Sequence, residues 1–74
     1  FMVTVEVGKA GVKVWISASL GFFGTGGVRD SVTDSNGDAY IDFDDFGSSF
    51  DGEIFVAGNS IYKGRIDANS TYSA

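Results

Sequence analysis

Apolar and polar residues alternate through most of this chain, and that alternation constrains it more than any other feature. Val12, Val14, Ile16, Ala18 and Leu20 alternate with Lys13, Trp15, Ser17 and Ser19, and Phe1, Val3, Val5 and Val7 alternate with Met2, Thr4 and Glu6. A period of two places every second side chain on one face of an extended strand, whereas a helix would scatter the same residues around its axis. Further strands are expected at about residues 28–33, 39–43, 53–57 and 61–66. Turns fall at Gly8-Lys9-Ala10-Gly11, Asn36-Gly37 and Gly58-Asn59, where glycine and asparagine tolerate positive φ. Short strands with turns every eight to twelve residues and no helical segment indicate a β-sandwich or small barrel. We expect an all-β, small Greek-key β-sandwich of about six to seven strands. Its core row is Val12, Val14, Ile16, Ile41, Phe43, Ile54 and Val56, with Trp15, Tyr40, Asp42 and Asp44 facing out.

At 74 residues the chain holds one domain, and a core of that size supplies only a few kcal/mol of net stability. Residues 1–66 form the expected domain and residues 67–74, which show no period, a C-terminal tail or linker. There is no cysteine and no histidine. Disulfides are thereby excluded, and so are the commonest metal ligand and the general base that works near neutral pH. Ten acidic residues against five basic ones give a formal charge of −5. That charge repels nucleic-acid phosphates and anionic headgroups, so we expect neither nucleic acid nor membrane insertion, the latter also because no apolar run reaches about 20 residues.

The stretch from Thr33 to Asp45 admits two incompatible readings. As a calcium loop it puts Asp34, Asn36, Asp38, Asp42 and Asp45 at the first, third, fifth, ninth and twelfth EF-hand positions, with Ile41 at the eighth. As a hairpin it uses Asn36-Gly37 as the two positive-φ residues of a type I′ turn, with Asp34 hydrogen-bonding backbone amides. The flanks favour the hairpin. Gly21-Phe22-Phe23-Gly24-Thr25-Gly26-Gly27 upstream and Gly47-Ser48-Ser49-Phe50-Asp51-Gly52 downstream both resist helix, each glycine costing about 1 kcal/mol relative to alanine. Ala39 also stands where the calcium loop needs glycine.

The segment Val32-Thr33-Asp34-Ser35-Asn36-Gly37-Asp38-Ala39-Tyr40-Ile41 resembles a turn-and-strand signature of two groups of β-sandwich domains, the carboxypeptidase regulatory-like (transthyretin-like) domains and the invasin-type bacterial immunoglobulin-like domains. Gly11-Val12-Lys13-Val14 resembles their upstream strand and Gly52-Glu53-Ile54-Phe55-Val56-Ala57-Gly58 the strand that follows. The chain departs from both patterns in its short, proline-free turn at residues 8–11 and its glycine-rich segment at 21–27. The resemblance implies a transthyretin-like or immunoglobulin-like fold. It also implies a noncatalytic accessory or adhesion module that spaces, stabilises or attaches a larger secreted or cell-surface protein, an extracellular location, and a neighbouring domain of that protein as partner. The alternative is a calcium-binding EF-hand-like or dockerin-like docking element built on Asp34–Asp45.

Three other features carry candidate chemistry. The glycine-rich segment presents Phe22 and Phe23, either as a recognition tip for a protein partner or with Phe22 capping the core. It lacks the Lys-Ser/Thr pair and helix of a phosphate loop. Trp15, Tyr40 and Tyr62 suit an outer aromatic platform for a carbohydrate ligand, or else cross-strand pairs that stabilise a sheet. Asn69-Ser70-Thr71 is a glycosylation sequon. No Gly-x-Ser-x-Gly elbow occurs, and serine has no histidine to activate it, so we expect no enzyme and no cofactor beyond the calcium alternative.

Overall fold

The computed structural model describes residues 2–19, 28–43 and 49–74. They form seven strands in two sheets: β1 (Met2–Glu6), β2 (Lys13–Ser19), β3 (Val28–Val32), β4 (Asp38–Asp42), β5 (Ser49–Val56), β6 (Asn59–Asp67) and β7 (Thr71–Ser73). A three-stranded sheet has the order β4-β1-β7 and a four-stranded sheet the order β3-β2-β5-β6. β1 pairs antiparallel with β4 and parallel with β7, and all pairings of the larger sheet are antiparallel. No helix occurs among the described residues. The described residues form an all-β, two-sheet sandwich.

The alternating rows meet in one core. Val3, Val5, Ala39, Ile41 and Phe43 face inward from the smaller sheet side, and Val14, Ile16, Ala18, Phe50, Ile54, Val56 and Ile66 from the larger. Each fully buried Val, Ile or Phe contributes about 1.5–3 kcal/mol relative to exposure. Val12, expected in the core, is only half-buried and packs on its margin, because it lies in the turn just before β2. Leu20 lies outside the described residues.

At one end of the sandwich two turns interlock. Residues 8–11 carry the chain from β1 to β2, and residues 33–37 carry it from β3 to β4, so each turn crosses between sheets. The Gly37 carbonyl accepts from the amides of Val7 (2.8 Å) and Gly8 (3.1 Å). Thr33 is the one buried polar side chain among the described residues, 5% exposed. Its hydroxyl accepts from the Val12 amide at 2.9 Å and donates to the Lys9 carbonyl at 2.5 Å. Its backbone exchanges further bonds with Gly11 (3.1 Å) and Val12 (2.9 Å).

This arrangement corrects the hairpin expected at Asn36-Gly37. β3 and β4 lie in different sheets and do not share a ladder. Of the two turn residues only Gly37 has positive φ (+83°). The Asp34 carboxylate accepts from the amides of Asn36 (2.9 Å) and Asp38 (3.1 Å), and the Asp34 carbonyl accepts from the Gly37 amide (3.0 Å). Those bonds hold Ser35 and Asn36 in an ordinary turn, with the left-handed residue following it.

Two smaller differences concern the second half of the chain. The β5–β6 hairpin turns on Ala57 (φ +50°) and Gly58 (φ +90°), one residue earlier than the Gly58-Asn59 expected. Val56 pairs with Asn59, which leaves two residues for a type I′ turn. Residues 71–73, expected within a tail or linker, form β7 along β1. Tyr72 turns inward against the core, and its hydroxyl accepts from the Asp67 amide at 3.1 Å. One aromatic residue and an open sheet edge suffice to order three residues that lack a readable period.

The interlocked turns should be the most mutation-sensitive part of the surface. A Cβ on Gly37 would lie 2.6 Å from backbone atoms of Gly8 and Lys9, whereas a Cβ on Gly58 meets nothing within 4 Å. Gly58→Ala should cost about 1 kcal/mol, the left-handed strain alone. Gly37→Ala should cost at least about 2 kcal/mol, or roughly 10 °C in Tm, as measured by thermal unfolding. Equal losses at the two positions would contradict the backbone contact. Thr33→Val, which removes the buried hydroxyl at constant shape and leaves the Val12 amide and the Lys9 carbonyl without it, should cost about 1–2 kcal/mol in urea unfolding, with Thr33→Ser keeping most of the stability.

Candidate functional site

The acidic residues of the loop are already occupied or dispersed. Asp34 is exposed, but one of its oxygens accepts the two turn amides of Asn36 and Asp38. Asp38 opens β4 and Asp42 closes it, so about 13 Å of strand separates them, whereas ligands of one calcium ion lie within about 5 Å of each other. Asn36 sits at the exposed tip. Asp45 lies outside the described residues, as do Phe22 and Phe23. Among the described residues no group of three or more acidic side chains is placed to hold a metal ion.

The three aromatic residues proposed as one platform are separated. Tyr40, 50% exposed, points outward from β4 between buried Ala39 and Ile41 in the smaller sheet. Trp15 points outward from β2 in the larger sheet and stacks on Phe55 of β5, with ring centroids 5.4 Å apart and planes 15° apart. Their faces lie on opposite sides of the sandwich. Tyr62 pairs in register with buried Ile54 and turns toward the core, where it meets Tyr72 at 4.7 Å. Its hydroxyl donates to the Arg65 carbonyl at 2.6 Å.

The two outer faces differ in charge. On the smaller sheet, parity puts Met2, Thr4 and Glu6, Asp38, Tyr40 and Asp42, and Thr71 and Ser73 outward. Three of these positions are acidic, Glu6, Asp38 and Asp42, and none is Lys or Arg. The Asp38 carboxylate, some desolvation, and the charges of Asp34 and Glu6 together raise the Tyr40 phenol above its ordinary pKa. On the larger sheet, charges of both signs alternate: Lys13 pairs with Asp30 at 3.6 Å and Arg65 with Asp51 at 3.5 Å. Arg65 also donates to the Ser49 hydroxyl at 3.1 Å.

That larger face carries a depression of about 310 Å³, lined by Ser17, Asp51, Gly52, Glu53, Lys63 and Gly64. Sequence reading missed it. Ser17, Glu53 and Lys63 each occupy an outward position of a strand, which their alternation signals, but their convergence depends on the register between β2, β5 and β6. The chain matches no protein-family model, no curated protein and no solved structure.

Removal of the Asp34 carboxylate separates its turn role from a metal role. Asp34→Ala leaves two turn amides without their acceptor and should lower stability by about 1 kcal/mol equally in calcium and in chelator. Calorimetry of the unaltered chain should show no micromolar calcium binding. Tight binding abolished by Asp34→Ala would establish the loop as a calcium site.

Proposed function

We propose that the chain is a noncatalytic accessory module of a larger secreted or cell-surface protein, a Greek-key sandwich of the immunoglobulin-like or transthyretin-like kind that spaces, stabilises or attaches its parent. The observation that carries this reading is the parallel pairing of β1 with β7. The chain runs up β1 from Met2 and again up β7, so that the Ala74 amide donates to the Glu6 carbonyl (2.9 Å) at the end of the sandwich opposite Met2. Segments attached before β1 and after β7 would leave in opposite directions, as in modules strung in line.

Two further observations support it. The Thr33 and Asp34 side chains of the signature turn are spent on backbone groups of the two interlocked turns, which is a structural and not a chemical use. Neighbouring strands that are distant in sequence, β1 with β4 and β2 with β5, suit Greek-key connections. The partner implied is the adjacent domain of the parent protein.

An antibody raised against the isolated chain should label unpermeabilised cells of its source or their culture medium. The isolated chain should unfold in one cooperative transition without calcium and turn over no ester, peptide or glycoside substrate. Antigen confined to the cytosol would refute the surface location, and turnover lost on a single outer-face substitution would refute the noncatalytic reading.

A further inference from the structure

We propose that the depression on the outer face of the four-stranded sheet is a binding site for a neutral saccharide. Its functional row crosses three strands: Ser17 lies opposite Glu53, and Glu53 opposite Lys63. Directly opposed residues have Cβ atoms about 4.5–5.5 Å apart, so a hydroxyl, a carboxylate and an ammonium line up in a row that spans one sugar ring and can meet hydroxyls on non-adjacent ring carbons. A sugar hydroxyl both donates and accepts. Glu53 accepts only and Lys63 donates only, while Ser17 does either, so the row satisfies separate hydroxyls of one saccharide in complementary senses.

The surroundings fit the rest of such a ligand. Gly52 and Gly64 are directly opposed and line the depression with peptide backbone. On one side of the row stands the Trp15–Phe55 stack, and Phe55 is opposed on β6 by the small Ser60. An aromatic group bordered by a small residue gives an apolar wall for the C–H face of a pyranose.

Charge selects the ligand class. On the other side of the row, Arg65 holds Asp51 in an ion pair of 3.5 Å, and Glu53 faces Lys63 across the strands. The two acids and two bases cancel, so an anionic or a cationic ligand gains little net Coulomb energy while losing hydration. A neutral, hydroxyl-rich ligand gains hydrogen bonds to charged groups, the stronger kind. This inference stands whether or not the chain spaces neighbouring domains.

The test is a titration of the 15N-labelled chain, followed by amide chemical shifts, with cellobiose, maltose, lactose and N,N′-diacetylchitobiose, each to about 50 mM, a range set by the millimolar affinity expected of an open site. At least one should shift the amides of Ser17, Gly52, Glu53 and Gly64 saturably. Glu53→Ala and Lys63→Ala should each weaken that binding about tenfold, and Thr71→Ala on the other sheet should leave it unchanged; the amide spectra themselves report whether each variant is folded. The inference is overturned if none of the four saccharides moves these amides, if both pocket variants bind undiminished, or if glucuronate or glucosamine binds more tightly than every neutral sugar.

Discussion

The contact between the Gly37 peptide and the Gly8-Lys9 peptide continues the pairing of β1 with β4 into the turns at one end of the sandwich, and the packing of those turns depends on it. β1 and β4 belong to one sheet, β2 and β3 to the other, so each of the two turns must span the gap of about 10 Å between packed sheets. Neither turn has a ladder of its own to satisfy its backbone. They satisfy each other, through the Gly37 carbonyl on two amides and the Thr33 hydroxyl between Lys9 and Val12. Each bond contributes only about 1 kcal/mol net, but several share this small volume. Glycine is required at 37 for a reason apart from its φ: no side chain fits between two backbones in contact.

The opposite end is closed by side chains and not by backbone. Phe43, just beyond β4, and Phe50, on β5, meet with ring centroids 4.7 Å apart, linking the smaller sheet to the larger. Phe50 and Ile66 in turn fold over Gly52, where a Cβ would stand 3.0 Å from each of them and 2.8 Å from the Ser17 carbonyl. Gly52 thus weakens β5 locally while letting two large side chains close the core, an exchange that sheet glycines often make. A domain with so few core side chains needs both ends shut, one by hydrogen bonds and one by aromatic packing.

The strands were legible because their signal is local. Six of the seven expected core residues are buried, and the parity that set them inward also set Tyr40 and Trp15 outward. What could not be read was whatever depends on pairing. The sequence Asn36-Gly37 looks like a hairpin turn whether or not its flanking strands join one ladder, and here they separate into two sheets. Thr33 belonged to the recognised motif, yet its burial follows from the turn at 8–11 packing against it, a contact over 20 residues distant in sequence. β7 is ordered by β1 and by the burial of Tyr72, not by any alternation of its own. The depression at Ser17, Glu53 and Lys63 draws on three strands, and the same pairing separates Trp15, Tyr40 and Tyr62, which parity alone had grouped.

The division of charge between the two faces bears on how the sandwich meets its surroundings. The formal charge of −5 is unevenly placed: the smaller sheet's outer face carries Glu6, Asp38 and Asp42 with no Lys or Arg among them, while the larger sheet's face pairs Lys13 with Asp30 and Arg65 with Asp51. An acidic face repels another copy of itself and other anionic surfaces, within a screening length of about 8 Å at physiological salt. The self-neutralised face lacks that barrier, so short-range groups decide what it meets: the Trp15–Phe55 stack, the Glu53 and Lys63 heads and the exposed backbone around Gly52 and Gly64. Under the proposed saccharide site, long-range repulsion on one side and short-range selection on the other would turn the four-stranded sheet toward the ligand first.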